Sequence, residues 1–303
     1  MVPEARPRSY YGQPVIKEPV WTWEIPWYFF AGGLAGASSG LAYLSDLRGN
    51  KLLARRAWAL GMAGLAVSPP LLISDLGRPS RFLNMLRVFK VTSPMSVGSW
   101  ILNLEAALAT VAAANAWTGA FEGPAAVAKP AAAVLGLPVA TYTAALISNT
   151  AVPVWHEARR ELPFVFAASA AATAGAAAAL TTPARHAAPA RAMALAGSVA
   201  EVAVSELMER RLGVLGEPYR AGPAGRHARV AKATLAAGAA SLAARGRLDG
   251  RRAHAATAAG AALVMAGSLF ERWAIFRAGF QSAADPAYTV GPQRERSAVP
   301  ASL

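Results

Sequence analysis

The dominant feature of the sequence is a series of long apolar runs separated by short polar and basic stretches. A helix needs about 20 mostly apolar residues to cross the hydrocarbon core of a bilayer. Eight runs reach that length, which predicts an all-α integral membrane protein with eight transmembrane helices. Their bounds are about 25–45, 54–75, 95–117, 127–149, 162–182, 190–209, 229–245 and 253–276.

The composition agrees with a membrane protein. Hydrophobic residues make up 54% of the chain and charged residues 16%, with a mean hydropathy of +0.31, which is too apolar for an ordinary soluble domain. The net charge is +13, but the basic residues form short clusters between apolar runs and not one continuous basic face. We therefore expect a lipid membrane as the partner and no nucleic acid.

The distribution of basic residues predicts the topology. Eight spans place both termini on one side of the membrane, and that side carries 19 of the 30 Lys and Arg residues. The excess favours cytoplasmic termini in a multi-pass protein of the cell membrane. Basic clusters after the first and seventh segments, at 48–56 and 245–252, oppose this assignment.

The predicted organisation has four parts. An extramembrane segment, 1–24, precedes a first four-helix bundle over 25–149. A second four-helix bundle follows over 150–277, and a polar tail occupies 278–303. The last four apolar runs are rich in Ala and Gly, which suits close packing of helices in lipid.

Metal and haem ligands are scarce in this sequence. There is no cysteine, so the chain supplies no thiolate for an iron–sulfur cluster or a zinc site. A bis-histidine haem b needs two imidazoles that face each other inside helices. The four histidines are instead predicted to lie in loops or near helix ends, so we expect no haem and no metal in this chain: His156, His186, His227 and His254.

Two carboxylates lie well inside predicted spans. A charged side chain at mid-membrane costs several kcal/mol, so each such residue is a functional hypothesis. Glu105 lies in the third segment and Glu201 in the sixth, whereas Glu206 and Glu209 lie nearer a helix end. The alternative is that a protonated or paired carboxyl group only ties helices together.

Aromatic residues crowd the start of the first segment, in VWTWEIPWYFF. Trp23 and Trp27 suit an interfacial aromatic belt. A belt has no need of the carboxylate of Glu24, whereas a flat quinone ring requires aromatic walls and a proton-carrying group. Tyr142, in the fourth segment after a predicted kink at Pro138, needs a hydrogen-bond partner for its hydroxyl, either another helix or a ligand carbonyl.

The stretch LLISDLGRPSRFLNMLRVF ends the second segment with charged residues. Two spans separate it from the aromatic cluster, so Asp75 and Arg78 lie on the same side of the membrane as Trp23. Gly77 and Pro79 end the helix, and the residues that follow have the spacing of an amphipathic interfacial segment. Asp75 and Arg78 are therefore candidates for one wall of a site.

Several motifs together resemble the NrfD/polysulphide-reductase family of membrane subunits. They occur in the family's order and span most of the chain. The tail resembles the actinobacterial branch found with formate-dehydrogenase-like molybdenum enzymes. The matching stretches are VWTWEIPWYFFAGGLAG, SDLGRPSRFLNMLRVFKVTSPMSVGSW, GLPVATYTAALIS, MALAGSVAEVAVSEL, ERWAIFRAGFQS and, for the branch, SAADPAYTVGPQRER.

The resemblance implies a haem-free subunit of two four-helix bundles that exchanges electrons with menaquinone or ubiquinone. Its partners would be a four-cluster ferredoxin-like iron–sulfur subunit and a molybdopterin catalytic subunit. In relatives, the quinone head group lies near the start of helix one, close to the face where the iron–sulfur subunit docks, which we expect to be cytoplasmic. The positions that match the family's motifs are Trp23, Trp27, Asp75, Arg78, Tyr142 and Glu201.

The first segment departs from some relatives, which carry Asn and His where this sequence has Thr22 and Ile25. We therefore expect Glu24 or Asp75, together with Tyr142, to bond the quinone oxygens and relay protons, while Arg78 favours a charged state of the quinone. Glu201 and Glu105 would extend a proton path. Two alternatives remain at this stage: a pure membrane anchor without quinone chemistry, and a proton-coupled transporter.

Overall fold

The structure is a computed structural model that describes residues 14–298, and within this range all regular secondary structure is helical. Long α-helices occupy each of the eight predicted segments. A short helix, α5, lies between the two halves of the chain, and another, α10, follows the last long helix. The bounds are α1 Glu24–Leu47, α2 Lys51–Ser74, α3 Pro94–Thr118, α4 Glu122–Ser148, α5 Pro153–Glu157, α6 Leu162–Thr181, α7 Ala188–Leu212, α8 Gly222–Ala244, α9 Gly250–Ala284 and α10 Ala287–Ala298.

Five of the long helices in the described part of the chain are long and apolar enough to cross a membrane: α2, α3, α4, α6 and α9. The other three, α1, α7 and α8, do not reach that apolar character. Charged residues account for this in α7 and α8, whose sequences include MERR and GRHARVAK. In α1, polar and small residues dilute the apolar character.

Helix packing follows the order of the chain. In the first half, α1 contacts α2 and α4, and α3 contacts the same two helices. In the second half, α6 contacts α7 and α9, and α8 contacts the same two helices. Helix α1 joins the halves, since it also packs against α6 and α9.

Neighbouring helices run antiparallel, which defines two ends of the molecule. The start of α1 bonds to the residue after α2 through Thr22 and Asp75, and the end of α1 pairs with the start of α4 through Asp46 and Lys129. We call the end that holds residues 14–23, 75–93, 149–161, 213–221 and 285–298 the proximal end. The opposite end, with 48–50, 119–121, 182–187 and 245–249, is the distal end.

Glycine contacts bring the helix backbones close together. A Cβ atom on Gly36 would lie 2.1 Å from the carbonyl oxygen of Gly136, so α1 and α4 touch backbone to backbone. Similar contacts join α6 to α7 at Gly175 and α8 to α9 at Gly238. The Ala- and Gly-rich composition of the second half thus produces the close packing that it predicts.

Three details differ from the sequence-based expectations. Residues Pro79–Leu86 form a 3₁₀ helix, a form common in short connecting segments, in place of an α-helical amphipathic turn. Helix α9 continues to Ala284, beyond the predicted end of its segment. His227 lies five residues inside α8, because that helix begins earlier than predicted, and its ring stacks against Trp273.

Candidate functional site

A cavity of about 150 Å³ lies at the proximal end, enclosed by α1, α2, α3, α4 and the 3₁₀ helix Pro79–Leu86. Most of its wall is apolar and aromatic, and its polar groups are few. An apolar cavity of this size can accept a single benzene ring. The wall includes Trp21, Ile25, Tyr28, Phe29, Leu65, Leu72, Asp75, Phe82, Met85, Leu86, Ser99, Leu102, Asn103, Tyr142 and Leu146.

Two tyrosine hydroxyls meet at this wall. Tyr28 of α1 is buried, Tyr142 of α4 is half-buried, and their hydroxyl oxygens share a hydrogen bond. A phenol carries one proton, so only one of the two hydroxyls donates in this bond. The accepting hydroxyl keeps its own proton, which is free to be donated to an oxygen atom of a ligand in the cavity.

Gly98 of α3 fixes the position of the Tyr142 ring. A Cβ atom at this residue would lie 2.0 Å from Cε2 of Tyr142, so the ring occupies the space that any larger side chain would need. Helix α4 continues through Pro138, one turn before Tyr142. The hydroxyl is thus held against α1 by a close contact with α3.

Asp75 follows the last residue of α2 and lines the cavity. Its Oδ1 atom accepts hydrogen bonds from the backbone N–H and the side-chain hydroxyl of Thr22, each at 2.9 Å. The same hydroxyl also contacts Oε2 of Glu24. One hydroxyl has only one proton, so Thr22 can donate to only one of the two carboxyl groups at a time. The three side chains therefore form a continuous series of polar contacts from Glu24 to Asp75.

The other predicted residues near the start of α1 lie outside this cavity. Trp23 and Trp27 are 57% and 40% exposed, and neither lines the cavity. Such positions suit an interfacial aromatic belt. Arg78 is exposed and precedes the 3₁₀ helix Pro79–Leu86, so the structure does not bring its guanidinium into the wall beside Asp75.

The 3₁₀ helix Pro79–Leu86 covers the cavity. Phe82, Met85 and Leu86 line it, whereas Arg81 and Arg87 of the same stretch are exposed. The amphipathic pattern therefore places the apolar face of this helix over the cavity. Trp21 lies on the opposite wall and contacts the ring of Trp155, with centroids 5.7 Å apart.

Glu105 is fully buried near the middle of α3. Its Oε1 atom accepts a hydrogen bond of 2.6 Å from the hydroxyl of Ser39 in α1, and its Oε2 atom has no partner in the described part of the chain. Glu105 does not line the cavity, although Leu102 and Ala106 of the same helix do. It lies deeper in the first group of helices.

Glu201 is fully buried in α7, within the second group of helices, and accepts a hydrogen bond of 2.8 Å from Ser268 of α9. A second hydrogen bond joins the same two helices in the opposite sense: the hydroxyl of Ser205 in α7 donates to Glu271 of α9, also at 2.8 Å. Two carboxyl groups thus connect α7 and α9 through paired serines. The structure does not bring Glu201 to the cavity.

A buried arginine connects this acidic pair to the first group of helices. Arg272 donates a hydrogen bond of 3.0 Å to the carbonyl oxygen of Phe166, and its guanidinium lies 3.8 Å from the centre of the Phe166 ring. The Phe166 ring contacts Phe29, which lines the cavity, at 5.3 Å between centroids. Arg272 also packs against Gly33 of α1.

Polar groups continue from the acidic pair to the proximal end. The hydroxyl of Tyr219, in the 3₁₀ helix Gly213–Tyr219, is buried without a hydrogen-bond partner among the described residues. Burial, together with the negative charges of Glu271 and Glu209, raises the pKa of Tyr219 well above its ordinary value. Lys232 pairs with Glu209 at 2.8 Å and with Glu206 at 2.6 Å.

The sequence analysis does not identify three polar residues of the cavity and the acidic pair. Tyr28 is one aromatic among six in its cluster, and only the crossing of α1 and α4 pairs it with Tyr142. Glu271 and Arg272 form an adjacent charged pair inside a long apolar run, which is itself a signal, because charges within spans are rare. Among the side chains that the structure describes, those of residues 14–294, no group of three His, Asp or Glu could hold a metal ion.

The fold and these sites define a helical multi-pass membrane protein with a small aromatic-walled cavity at one end. The sequence profile described as "Polysulphide reductase, NrfD" matches residues 13–204, which is more than half of the chain. The chain therefore belongs to the NrfD polysulphide reductase family, as the motifs indicate. Comparison with curated proteins gives no match. The narrower link to formate-dehydrogenase-associated members remains a prediction.

Proposed function

We propose that this protein is the haem-free membrane anchor and quinone-reactive subunit of a molybdopterin and iron–sulfur oxidoreductase complex. It exchanges electrons between a docked iron–sulfur subunit and menaquinone or ubiquinone. The observation that carries the proposal is the proximal cavity, where apolar and aromatic walls meet two tyrosine hydroxyls and a carboxyl group. We also propose that all eight long helices cross the membrane, in two four-helix bundles.

The shape and chemistry of the cavity support a quinone head group as substrate. Its volume of about 150 Å³ suits the ring that carries the two carbonyl oxygens. The apolar walls favour a flat hydrophobic ring, whereas Tyr28, Tyr142 and Asp75 offer hydrogen bonds to carbonyl oxygens. Exposed apolar side chains of α3, such as Leu104 and Trp100, suit an isoprenoid tail that lies in lipid.

Reduction of a quinone to a quinol takes up two electrons and two protons. The electrons come from the iron–sulfur partner, because the chain has no cysteine to hold a cluster of its own. In this proposal the tyrosine pair donates one proton to one carbonyl oxygen. The chain of Glu24, Thr22 and Asp75 supplies the second proton.

The buried carboxyl groups then serve the movement of protons. Glu201 and Glu271 lie between α7 and α9, in the same group of helices as the ion pair of Lys232 and Glu209, and Glu105 lies in α3 beyond the residues that line the cavity. Buried carboxyl groups of this kind, each hydrogen-bonded to a serine, match what proton paths in membrane proteins require. Arg272 offsets part of the negative charge that two carboxylates would carry.

The proximal end is the proposed docking face for the iron–sulfur subunit. The cavity lies at this end, beneath the 3₁₀ helix Pro79–Leu86, so a cluster docked there would lie near the substrate ring. Helices α5 and α10 and the loop after α2 supply an extramembrane surface at this end. The excess of Lys and Arg on this side favours a cytoplasmic location of this face.

The transporter alternative receives no support from the helix geometry of the first group. Transporters of the inverted-repeat type bind their substrates at helices interrupted near the bilayer midplane. Helix α2 continues through Pro69 and Pro70, and α4 continues through Pro130 and Pro138. The pure anchor differs from the proposed function only in lacking quinone turnover, so the same assay separates the two.

Quinone turnover by the complete complex in proteoliposomes tests the proposal. Tyr142→Phe and Asp75→Asn should each lower turnover by about 10- to 100-fold, since each removes a proton-carrying group. Tyr28→Phe should lower it as well, because the two hydroxyls act together. The iron–sulfur subunit should remain bound to the membrane in all three variants.

Matched controls keep the chemistry of each change but lie away from the cavity. Tyr43→Phe removes a hydroxyl from the distal part of α1, and Asp249→Asn removes a carboxylate from the loop before α9. Both should retain the turnover of the wild type. If Tyr142→Phe and Asp75→Asn also retain it, the site assignment fails. If the wild-type complex keeps its partner but turns over no quinone, the protein is an anchor only.

A further inference from the structure

A second cavity lies at the distal end, where α2, α6, α7, α9 and the 3₁₀ helix Arg245–Arg247 meet. Its volume is about 510 Å³. Three arginines and a histidine line it, Arg56, Arg191, Arg245 and His254, and none of its lining residues is acidic. It is separate from the proximal cavity, and the proposed quinone chemistry makes no use of it.

The three arginines of this cavity have no acidic partners. Among residues 14–294, no carboxylate lies within 4.0 Å of Arg56, Arg191 or Arg245. Arg191 and Arg245 also lie close enough to repel each other. Positive charges gathered around a cavity without compensation are stabilised by an anion that enters it.

Two buried polar atoms at this cavity lack partners in the described part of the chain. One is Nε of Arg245, and the other is the hydroxyl oxygen of Thr182. Buried polar atoms in proteins are nearly always hydrogen-bonded, so an unpartnered pair beside a cavity points to a missing ligand or water. An oxyanion would accept from both groups.

The helix ends around this cavity strengthen its positive potential. The N-terminal ends of α7 and α9 both border it, and neither helix has an acidic residue in its first turn or a side-chain cap. Helix N-termini carry a partial positive charge and usually attract Asp or Glu. Here the first turns hold Arg191, Arg251 and Arg252. The N-cap residue of α9 is Asp249, but its side chain makes no capping hydrogen bond and does not line the cavity.

We propose that the distal cavity binds a phosphate-bearing anion, with Arg191 and Arg245 as its main contacts and Arg56 at the exposed rim. Two sources share this chemistry: the head group of an anionic phospholipid, and free phosphate. The cavity lies at the ends of five helical elements, the level at which lipid head groups meet a membrane protein. Arg56 and Arg245, one from each of the basic clusters at 48–56 and 245–252, then serve a ligand, which accounts for their position opposite the expected cytoplasmic side.

Thermal unfolding of the purified full-length chain in non-ionic detergent tests this proposal. Phosphatidylglycerol should raise the melting temperature in a saturable manner, and phosphatidylcholine should not. In Arg191→Gln/Arg245→Gln, the affinity for phosphatidylglycerol should fall by at least ~10-fold, because two charged hydrogen bonds are lost. Without lipid, this variant should melt no lower than the wild type, since repulsion between the arginines is relieved.

Controls separate the cavity from general surface charge. Arg55→Gln/Arg252→Gln removes two exposed charges at the same end that do not line the cavity, and it should keep the response to phosphatidylglycerol. Arg56→Gln changes an exposed side chain and so does not endanger folding. It should weaken binding by about threefold.

The source of the anion follows from a parallel titration with inorganic phosphate. A shift of the melting temperature with phosphate alone, lost in Arg191→Gln/Arg245→Gln, assigns the site to a soluble phosphate compound. A shift with phosphatidylglycerol only assigns it to a lipid. The proposal is overturned if neither anion shifts the melting temperature, or if the cavity variants respond as the wild type does.

Discussion

The hydroxyl of Thr22 occupies the position between two carboxyl groups, where some relatives are expected to carry an asparagine. It contacts both Glu24 and Asp75, and its single proton can satisfy only one of them at a time. A threonine at this position is thus compatible with proton transfer, because its hydroxyl connects two carboxyl groups that can each carry a proton. Its backbone N–H holds Asp75 independently of the side chain.

Thr22→Val tests this connection. The substitution keeps the size of the side chain and the backbone hydrogen bond to Asp75 but removes the hydroxyl, so quinone turnover should fall by about 10-fold while the complex stays assembled. Thr22→Ser should restore turnover. Thr118→Val, at the exposed distal end of α3, is the matched control and should have no effect. Wild-type turnover in Thr22→Val would show that Glu24 and Asp75 do not exchange a proton through this residue.

At the level of elements, the position of Tyr142 depends on three helices. Helix α4 carries the residue, α1 supplies the hydroxyl of Tyr28, and α3 supplies the space at Gly98. A tyrosine within an apolar run is visible in the sequence, but its partners come from helices far away in the chain. This is why the sequence predicts that the hydroxyl needs a partner but does not identify it.

Gly98→Ala should displace the ring of Tyr142 without removing any proton-carrying group. The new methyl group would overlap the ring, and such overpacking typically costs 1–3 kcal/mol, so both the melting temperature and the quinone turnover should fall. Gly123→Ala is the control, because a Cβ atom there meets nothing within 4 Å. Normal turnover in a folded Gly98→Ala protein would mean that the position of the ring is not critical.

The 3₁₀ helix Pro79–Leu86 illustrates the limit of pattern reasoning at this scale. Its alternation of apolar and basic residues predicts an interfacial segment, and the structure places the apolar residues Phe82, Met85 and Leu86 inward. The pattern predicts that one face is apolar but not what that face covers. The cover over the cavity becomes visible only when α2 and α3 bring this connection above α1.

At the scale of the whole molecule, the sequence predicts the elements better than the sites. Each of the eight apolar runs forms a long helix, because hydrophobic length is a local property. The acidic pair formed by Glu201 and Glu271, by contrast, depends on the contact between α7 and α9. Glu201 is visible alone as a carboxylate in a span, whereas its connection through Arg272 to Phe166 needs the tertiary structure.

The two halves of the molecule differ in chemistry. The first group of helices holds the cavity with its tyrosine pair, and the second holds the buried acidic network. Helix α1 contacts both groups, through Phe29 on Phe166 and Gly33 on Arg272. This arrangement fits the proposal that the substrate binds in the first group of helices and that protons move through the second group.

Photo-crosslinking with an azido-quinone tests the central claim most directly. In the purified complex, illumination should attach the label to peptides that carry the start of α1, the 3₁₀ helix Pro79–Leu86 and the first turns of α3, and excess unlabelled quinone should suppress it. Mass spectrometry of the digested chain identifies the sites. Labelling confined to α6–α9, or labelling that unlabelled quinone does not suppress, would contradict a quinone site at the proximal cavity.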